Sequence, residues 1–162
     1  KDSKEEGYFI GVKLVRGAYL EKENERAKKM GYPTPIQPNK EACNEDYDSA
    51  IEYACENIHG ISICAGTHNE ESSLLLTRIM QLYNIERNNR KIYFSQLLGM
   101  SDHISYNLAN KGYNIVKYVP YGPVKEVLPY LIRRAEENRS IAGQTGRELN
   151  LIIQEIKRRK SN

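Results

Sequence analysis

Four short apolar runs of strand length, each followed by a stretch with helical spacing, constrain the fold of this chain more than any other feature. They are Phe9-Ile-Gly-Val-Lys-Leu-Val15, Ile61-Ser-Ile-Cys-Ala65, Lys91-Ile-Tyr-Phe-Ser-Gln96 and Asn114 to Val119. Strands that alternate with helices cannot be joined by hairpins, so they argue for parallel βα units in an α/β fold. In such folds the carboxyl ends of the strands share one edge, and sites are built there. Each run ends in something small or polar: Arg16-Gly-Ala-Tyr19, Thr67-His-Asn69, Gln96, and Tyr118 with Gly122. Topology alone is expected to bring these motifs to one mouth, although any single one reads equally well as a turn.

The intervening helices are marked by their ends. Glu21 to Met30 is closed by Gly31, and Gly31-Tyr-Pro-Thr-Pro-Ile-Gln-Pro-Asn39 carries too many prolines for regular structure. Asn39 caps a helix whose apolar stripe is Ala50, Ile51, Ala54, Cys55 and Ile58. Gly66-Thr-His-Asn69 reads as a turn, after which Asn69 or Ser72 opens a helix through Leu74, Leu75, Ile79 and Met80. A further helix follows Leu97-Leu-Gly-Met100 and runs to about Asn110, with Gly112 as its stop. The last helix, from about Thr145 to Arg159, lines up Leu149, Ile152, Ile153 and Ile156.

The most chemically suggestive stretch is Lys117-Tyr-Val-Pro-Tyr-Gly-Pro123 followed by Tyr130-Leu-Ile-Arg-Arg-Ala-Glu-Glu-Asn138. Helical spacings of three, four and seven put Tyr130, Arg133, Arg134 and Glu137 near one face. Two adjacent guanidiniums grip a carboxylate in a way that ammonium groups do not reproduce. Glu137 either pairs with an arginine or accepts from a substrate amine, and the tyrosines add flat walls with polar tips. The set suits a small amino acid; a solvated helix face is the plain alternative.

Composition narrows the rest. With 162 residues, 40% hydrophobic and 28% charged, and a mean hydropathy of -0.67, the chain reads as one soluble globular domain, residues 1–162. A net charge of +3 calls for no acidic partner. The basic cluster Lys157-Arg-Arg-Lys160 has no interleaved aromatics, which points to a solvated helix end and to no nucleic-acid role. Cys43, Cys55 and Cys64 are odd in number and fit no metal or redox spacing, so they are expected to be reduced thiols; with His59, His68 and His103 scattered, no metal site is expected. No apolar run approaches the roughly 20 residues needed to span a bilayer. The chain starts at Lys1 without Met, which leaves room for a targeting sequence upstream. Neither a Rossmann nor a P-loop fingerprint is present, and Gly143-Gln-Thr-Gly146 is too short to replace one.

Lys13-Leu-Val-Arg-Gly-Ala-Tyr-Leu20, Ser95-Gln-Leu-Leu-Gly-Met100, Tyr118-Val-Pro-Tyr-Gly-Pro123 and Tyr130 to Asn138, in that order, resemble the C-terminal half of proline dehydrogenase, most closely its eukaryotic mitochondrial branch. The resemblance covers nearly the whole chain. It implies a distorted (βα)8 TIM-like barrel of which this chain supplies about the fifth to eighth strands, with FAD at the strand ends and the helix carrying Tyr130 over the mouth. By match to the family motifs, Arg133 and Arg134 hold the proline carboxylate with Glu137 organising the site, and Tyr118, Tyr130 and Leu97 pack on the ring. The FAD positions are Lys13, Val15, Gly17, Ala18, Tyr19, Thr67, His68, Asn69 and Gln96. The implied reaction is oxidation of L-proline to 1-pyrroline-5-carboxylate, by hydride transfer from the carbon beside the ring nitrogen to the flavin N5, with electrons passed to a quinone. Positioning, and keeping the amine neutral, are the protein's main tasks.

Lys13 is expected to tune the flavin as a nearby cation, although many bacterial relatives carry Arg there. Cys43 stands where relatives often show Thr. The implied location is the matrix side of the inner mitochondrial membrane, with peripheral membrane association. Three alternatives stand beside this reading. Hydroxyproline dehydrogenase shares the motifs, but its residue at the Tyr118 position tends to be smaller, which favours proline here. In a barrel aldolase, Lys13 would form a Schiff base. An inactive half-barrel lacking the first four strands would associate with itself or a partner through its open edge.

Overall fold

The computed structural model describes residues 5–140 and 144–161, with side chains described for 5–132 and 149–161. The elements in chain order are β1 (Ile10–Leu14), α1 (Leu20–Met30), α2 (Lys40–Glu56), β2 (Ile61–Gly66), α3 (Glu70–Leu82), β3 (Ile92–Leu97), α4 (Asp102–Asn110), β4 (Ile115–Tyr118), α5 (Val124–Ser140) and α6 (Gln144–Lys160). The strands form one sheet in the order β1-β2-β3-β4. β1 and β2 pair in parallel with Lys13 opposite Cys64, and β2 and β3 pair in parallel with Cys64 opposite Tyr93 and Gly66 opposite Ser95. The Phe94 amide reaches Asn114 O at 2.9 Å, beside the start of β4. Each strand lies next to its predecessor, with no reversal of order, so the units wind in one direction. This is the arrangement of four consecutive βα units of a (βα)8 barrel rather than of a doubly wound sheet.

Strand parity decides what each face does, because successive side chains point to opposite sides. Ile63 and Ala65 of β2, with Ile92 and Phe94 of β3, join Ile51, Ala54 and Cys55 of α2, Leu76, Ile79 and Met80 of α3, and Ile104 and Leu108 of α4 in one buried cluster. Val12 and Leu14 of β1 and Ile115 of β4 pack against it. Phe94 meets Tyr113 edge to face, with ring centroids 5.5 Å apart, worth about 0.5–1.5 kcal/mol beyond burial. Gly11, Lys13, Cys64, Gly66, Tyr93 and Leu97, of the opposite parity, are exposed or half-buried on the other face of the sheet, whereas Ser95, of the same parity, is buried.

The caps follow the sequence closely. Asn39 Oδ1 accepts from the Ala42 amide at 2.8 Å, and Asn69 Oδ1 accepts from the Ser72 amide at 3.0 Å, so Asn69 rather than Ser72 opens α3. Such caps contribute about 1 kcal/mol each. α4 ends where Gly112 turns left-handed, φ 83°, and the Tyr113 amide reaches back to Leu108 O at 3.1 Å. Residues 31–39 form no regular element.

Several boundaries differ from expectation. β1 is shorter, because Phe9 and Val15 lie outside the pairing with β2. Gly66 belongs to β2, paired with Ser95, rather than to the turn. α2 stops at Glu56, and Ile58 packs on the core from the turn beyond it. α5 begins at Val124 and carries Pro129 inside it, which removes one intrahelical hydrogen bond. The fold divides into two compact units, one reaching Lys117 and one starting at Tyr118. In the second unit, α6 exposes Leu149, Ile152, Ile153 and Ile156, and Arg158 and Arg159 both bond Glu155, at 2.8 and 2.9 Å.

Candidate active site

At the carboxyl edge of the sheet, β1 runs into a sharp turn in which Gly17 (φ 69°) and Tyr19 (φ 58°) are both left-handed. Glycine takes that conformation freely, whereas Tyr19, 76% exposed, does so against its side chain's preference. Ala18 lies between them, also exposed. Lys13 and Val15 share the face away from the core, and Gly66 is their neighbour on β2. A Cβ at Gly66 would stand 3.0 Å from Leu14 O, 3.0 Å from Val15 Cγ1 and 3.3 Å from Lys13 Cε, so the missing side chain makes room for this pair.

The core-facing side of the same edge is organised by Arg16, which the sequence offered only as the end of a strand. Its Nη1 donates to Asn44 Oδ1 at 2.7 Å and to Ser72 Oγ at 3.1 Å, and its Nη2 donates to Thr67 Oγ1. The guanidinium also lies 4.2 Å from the centre of the Tyr47 ring. One side chain thus ties β1 to α2, to the end of β2 and to α3, a geometry suited to the planar fork of arginine. Burial pushes the Tyr47 phenol well above its ordinary value, against the opposing pull of Arg16.

Of the expected cofactor positions, Thr67, Asn69 and Gln96 direct their side chains into the protein. Thr67 is buried, and its Oγ1 accepts from Arg16 and from the Asn69 amide at 3.0 Å. Asn69 is the α3 cap. Gln96, 1% exposed, has the parity of Ile92 and Phe94; its Nε2 donates to Thr67 O at 3.3 Å, and its Oε1 accepts from Ser105 Oγ at 3.0 Å. His68 is half-buried, with Nδ1 2.9 Å from the hydroxyl of Ser101, a left-handed residue (φ 53°) at the start of α4. These contacts weld the ends of β2 and β3 to α3 and α4. Leu97 closes β3, half-buried, with its carbonyl accepting from the Met100 amide at 3.1 Å.

In the second unit, Tyr118 and Tyr130 meet edge to face, centroids 6.2 Å apart and planes at 72°. The two tyrosines expected at a substrate ring are therefore adjacent. Arg133, Arg134 and Glu137 lie on α5, and their side chains fall outside the described residues.

The family model described as proline dehydrogenase matches residues 1–147. The chain belongs to the proline dehydrogenase family. Mitochondrial proline dehydrogenase 1 of Homo sapiens is 44% identical over 97% of this chain, and that of Caenorhabditis elegans is 40% identical over 99%. Hydroxyproline dehydrogenase of Xenopus laevis is also 44% identical, over 96% of the chain. The chain spans 27% of the length of the first two relatives and 34% of the third. Among solved structures, proline utilization A from Bdellovibrio bacteriovorus inactivated by N-propargylglycine superposes with a TM-score of 0.76 at 29% identity, over 84% of this chain and 14% of that one. The match of the family model ends within α6, at residue 147.

Proposed function

We propose that the protein carrying this chain is an FAD-dependent proline dehydrogenase, which oxidises L-proline to 1-pyrroline-5-carboxylate and passes the electrons to a quinone at the matrix side of the inner mitochondrial membrane. Residues 1–162 are then the C-terminal part of one flavin-binding barrel domain. The observation that carries the reading is the family match, joined to a strand-end edge whose open face bears Lys13 beside the gap at Gly66. That edge fits a flat cofactor that becomes anionic on reduction. Lys13 and Val15 offer a charged and an apolar wall, and the turn of Gly17, Ala18 and Tyr19 presents exposed backbone. The side chains of Thr67, Asn69 and Gln96 serve to hold the edge in shape. FAD, when bound, supplies a two-electron acceptor.

The remaining roles belong to the protein's own residues. Arg133 and Arg134 hold the substrate carboxylate by paired hydrogen bonds, and Glu137 keeps them oriented. Tyr118, Tyr130 and Leu97 pack on the pyrrolidine ring and exclude water from it. Lys13 places positive charge where the reduced cofactor gains negative charge.

A second reading, hydroxyproline dehydrogenase, is favoured by the 44% identity to the Xenopus laevis enzyme, which equals that to the human proline enzyme. Tyr118, set edge to face against Tyr130, weighs toward proline by leaving less space for a ring hydroxyl. Turnover of the flavin-loaded protein on L-proline and on trans-4-hydroxyproline separates the two readings. Proline is expected to give the higher kcat/KM, and Tyr118→Ser is expected to narrow the gap; faster oxidation of hydroxyproline by the unaltered protein would overturn the assignment. Separated from the rest of its protein, the chain is expected to be inactive and to self-associate through its strand edges, which size-exclusion chromatography reads directly.

A further inference from the structure

We infer that Ser101 is a positioning residue for the cofactor: its hydroxyl, carried by a left-handed turn, fixes the rotation of the His68 imidazole, and through His68 it sets the affinity for the flavin. The inference rests on the proposed function, in which His68 is among the flavin positions. Serine at a helix N-cap ordinarily has extended backbone and accepts a bond from the first turn. Ser101 stands at the N-cap of α4 with φ 53° and ψ 41°, and its side chain makes no capping bond. It thus forgoes the cap and takes a conformation that disfavours a side chain. Such a backbone persists only where its surroundings over-determine it, and functional sites are where this tends to happen. Here the turn is held from three sides. The Met100 amide reaches Leu97 O at 3.1 Å, Lys117 Nζ donates to Met100 O at 2.8 Å and to Asp102 Oδ1 at 2.7 Å, and Ser101 O accepts from the Ser105 amide at 3.1 Å. What the turn delivers is the hydroxyl of a residue only 4% exposed, 2.9 Å from His68 Nδ1. The backbone around His68 is already fixed on both sides, by Thr67 Oγ1 accepting from Arg16 and by Asn69 capping α3. Rotation of the ring is what remains, and the contact with Ser101, from 33 residues away in the chain, removes it. With Nδ1 engaged, a ligand that bonds His68 without breaking this contact does so through Nε2.

The test is the flavin dissociation constant of the full-length protein, measured by titrating FAD into the apoprotein. Glycine adopts the left-handed conformation freely, so Ser101→Gly separates the hydroxyl from the backbone. This variant is expected to keep the circular dichroism of the unaltered protein and to bind flavin about tenfold more weakly, the order of one hydrogen bond. Ser101→Ala keeps the side chain's bulk up to the hydroxyl and should weaken binding to the same extent, which covers the case of a turn loosened by glycine. His68→Ala should weaken binding at least as much, and Ser101→Gly/His68→Ala should match His68→Ala alone. A serine that serves only the turn would leave the affinity of Ser101→Gly unchanged, or would shift it equally with and without His68, and either result overturns the inference. Unchanged affinity in His68→Ala overturns it as well, by removing His68 from the flavin, and leaves the proposed function standing. A folded apoprotein that takes up no FAD instead overturns the proposed function, and the inference with it.

Discussion

Replacing Arg16 with methionine removes three hydrogen bonds and one ring contact in a single step, and the structure lets the cost be worked out. Asn44 is half-buried and can turn to water. Thr67 Oγ1 keeps the Asn69 amide at 3.0 Å. Ser72 Oγ is different, because the residue is 1% exposed and Arg16 is the partner found at 3.1 Å. Stranding a buried hydroxyl costs about 1–3 kcal/mol, and the lost stacking on Tyr47 adds about 0.5–2 kcal/mol. The three acceptors share one ion, so their losses do not add, and Arg16→Met is expected to destabilise the protein by about 3 kcal/mol. Arg16→Lys keeps the charge but offers one point donor to three acceptors, and should fall near half that loss, about 1.5 kcal/mol. In the Arg16→Met background, Asn44→Ala should cost almost nothing more. Urea unfolding at constant m-value measures all of these. A stability for Arg16→Met within about 0.5 kcal/mol of the unaltered protein would refute the reasoning, since that is the range of an ordinary surface change.

Other outcomes follow from the same structure. Burial raises the Cys55 thiol to about 11, so at mildly alkaline pH iodoacetamide should label Cys43 and Cys64 in the native protein and Cys55 only after unfolding; mass spectrometry of the alkylated peptides checks this, and native labelling of Cys55 would contradict its burial. Hydrogen bonds from Arg158 and Arg159 lower Glu155 to about 2. Because the folded value is depressed, the stabilisation of α6 should be complete above the ordinary carboxylate range and lost as pH falls toward 2, and an NMR titration of Glu155 with an ordinary midpoint would remove these bonds from solution. Under the proposed function, Arg133→Met and Arg134→Met should each lose about 2–3 kcal/mol of carboxylate recognition, roughly 30–150-fold in kcat/KM for proline, with the visible flavin band retained.

Much of this architecture was legible because it rests on local rules. Asn39 and Gly112 act as cap and stop for reasons visible in single residues, and the alternation of short strands with helices already excluded hairpins. What escaped was set by distance in space. Arg16 gathers partners 28 to 56 residues away, and an arginine after a strand reads as a turn. Gln96 was within reach of parity: it is two residues from Phe94 and four from Ile92, and that spacing assigns it to the core face. The tight space at Gly66 is set by Leu14, Val15 and Lys13, on and just past the neighbouring strand, and so depends on register. Pro129 stands in the second turn of α5 without ending it.

The most direct test of the central claim is an absorbance spectrum of the purified full-length protein followed by anaerobic addition of L-proline. The proposed function requires a visible flavin band that bleaches on addition of proline and returns when a quinone is supplied. A flavin band indifferent to proline would contradict the assigned substrate, and a colourless folded protein would contradict the flavin site at the ends of β1, β2 and β3.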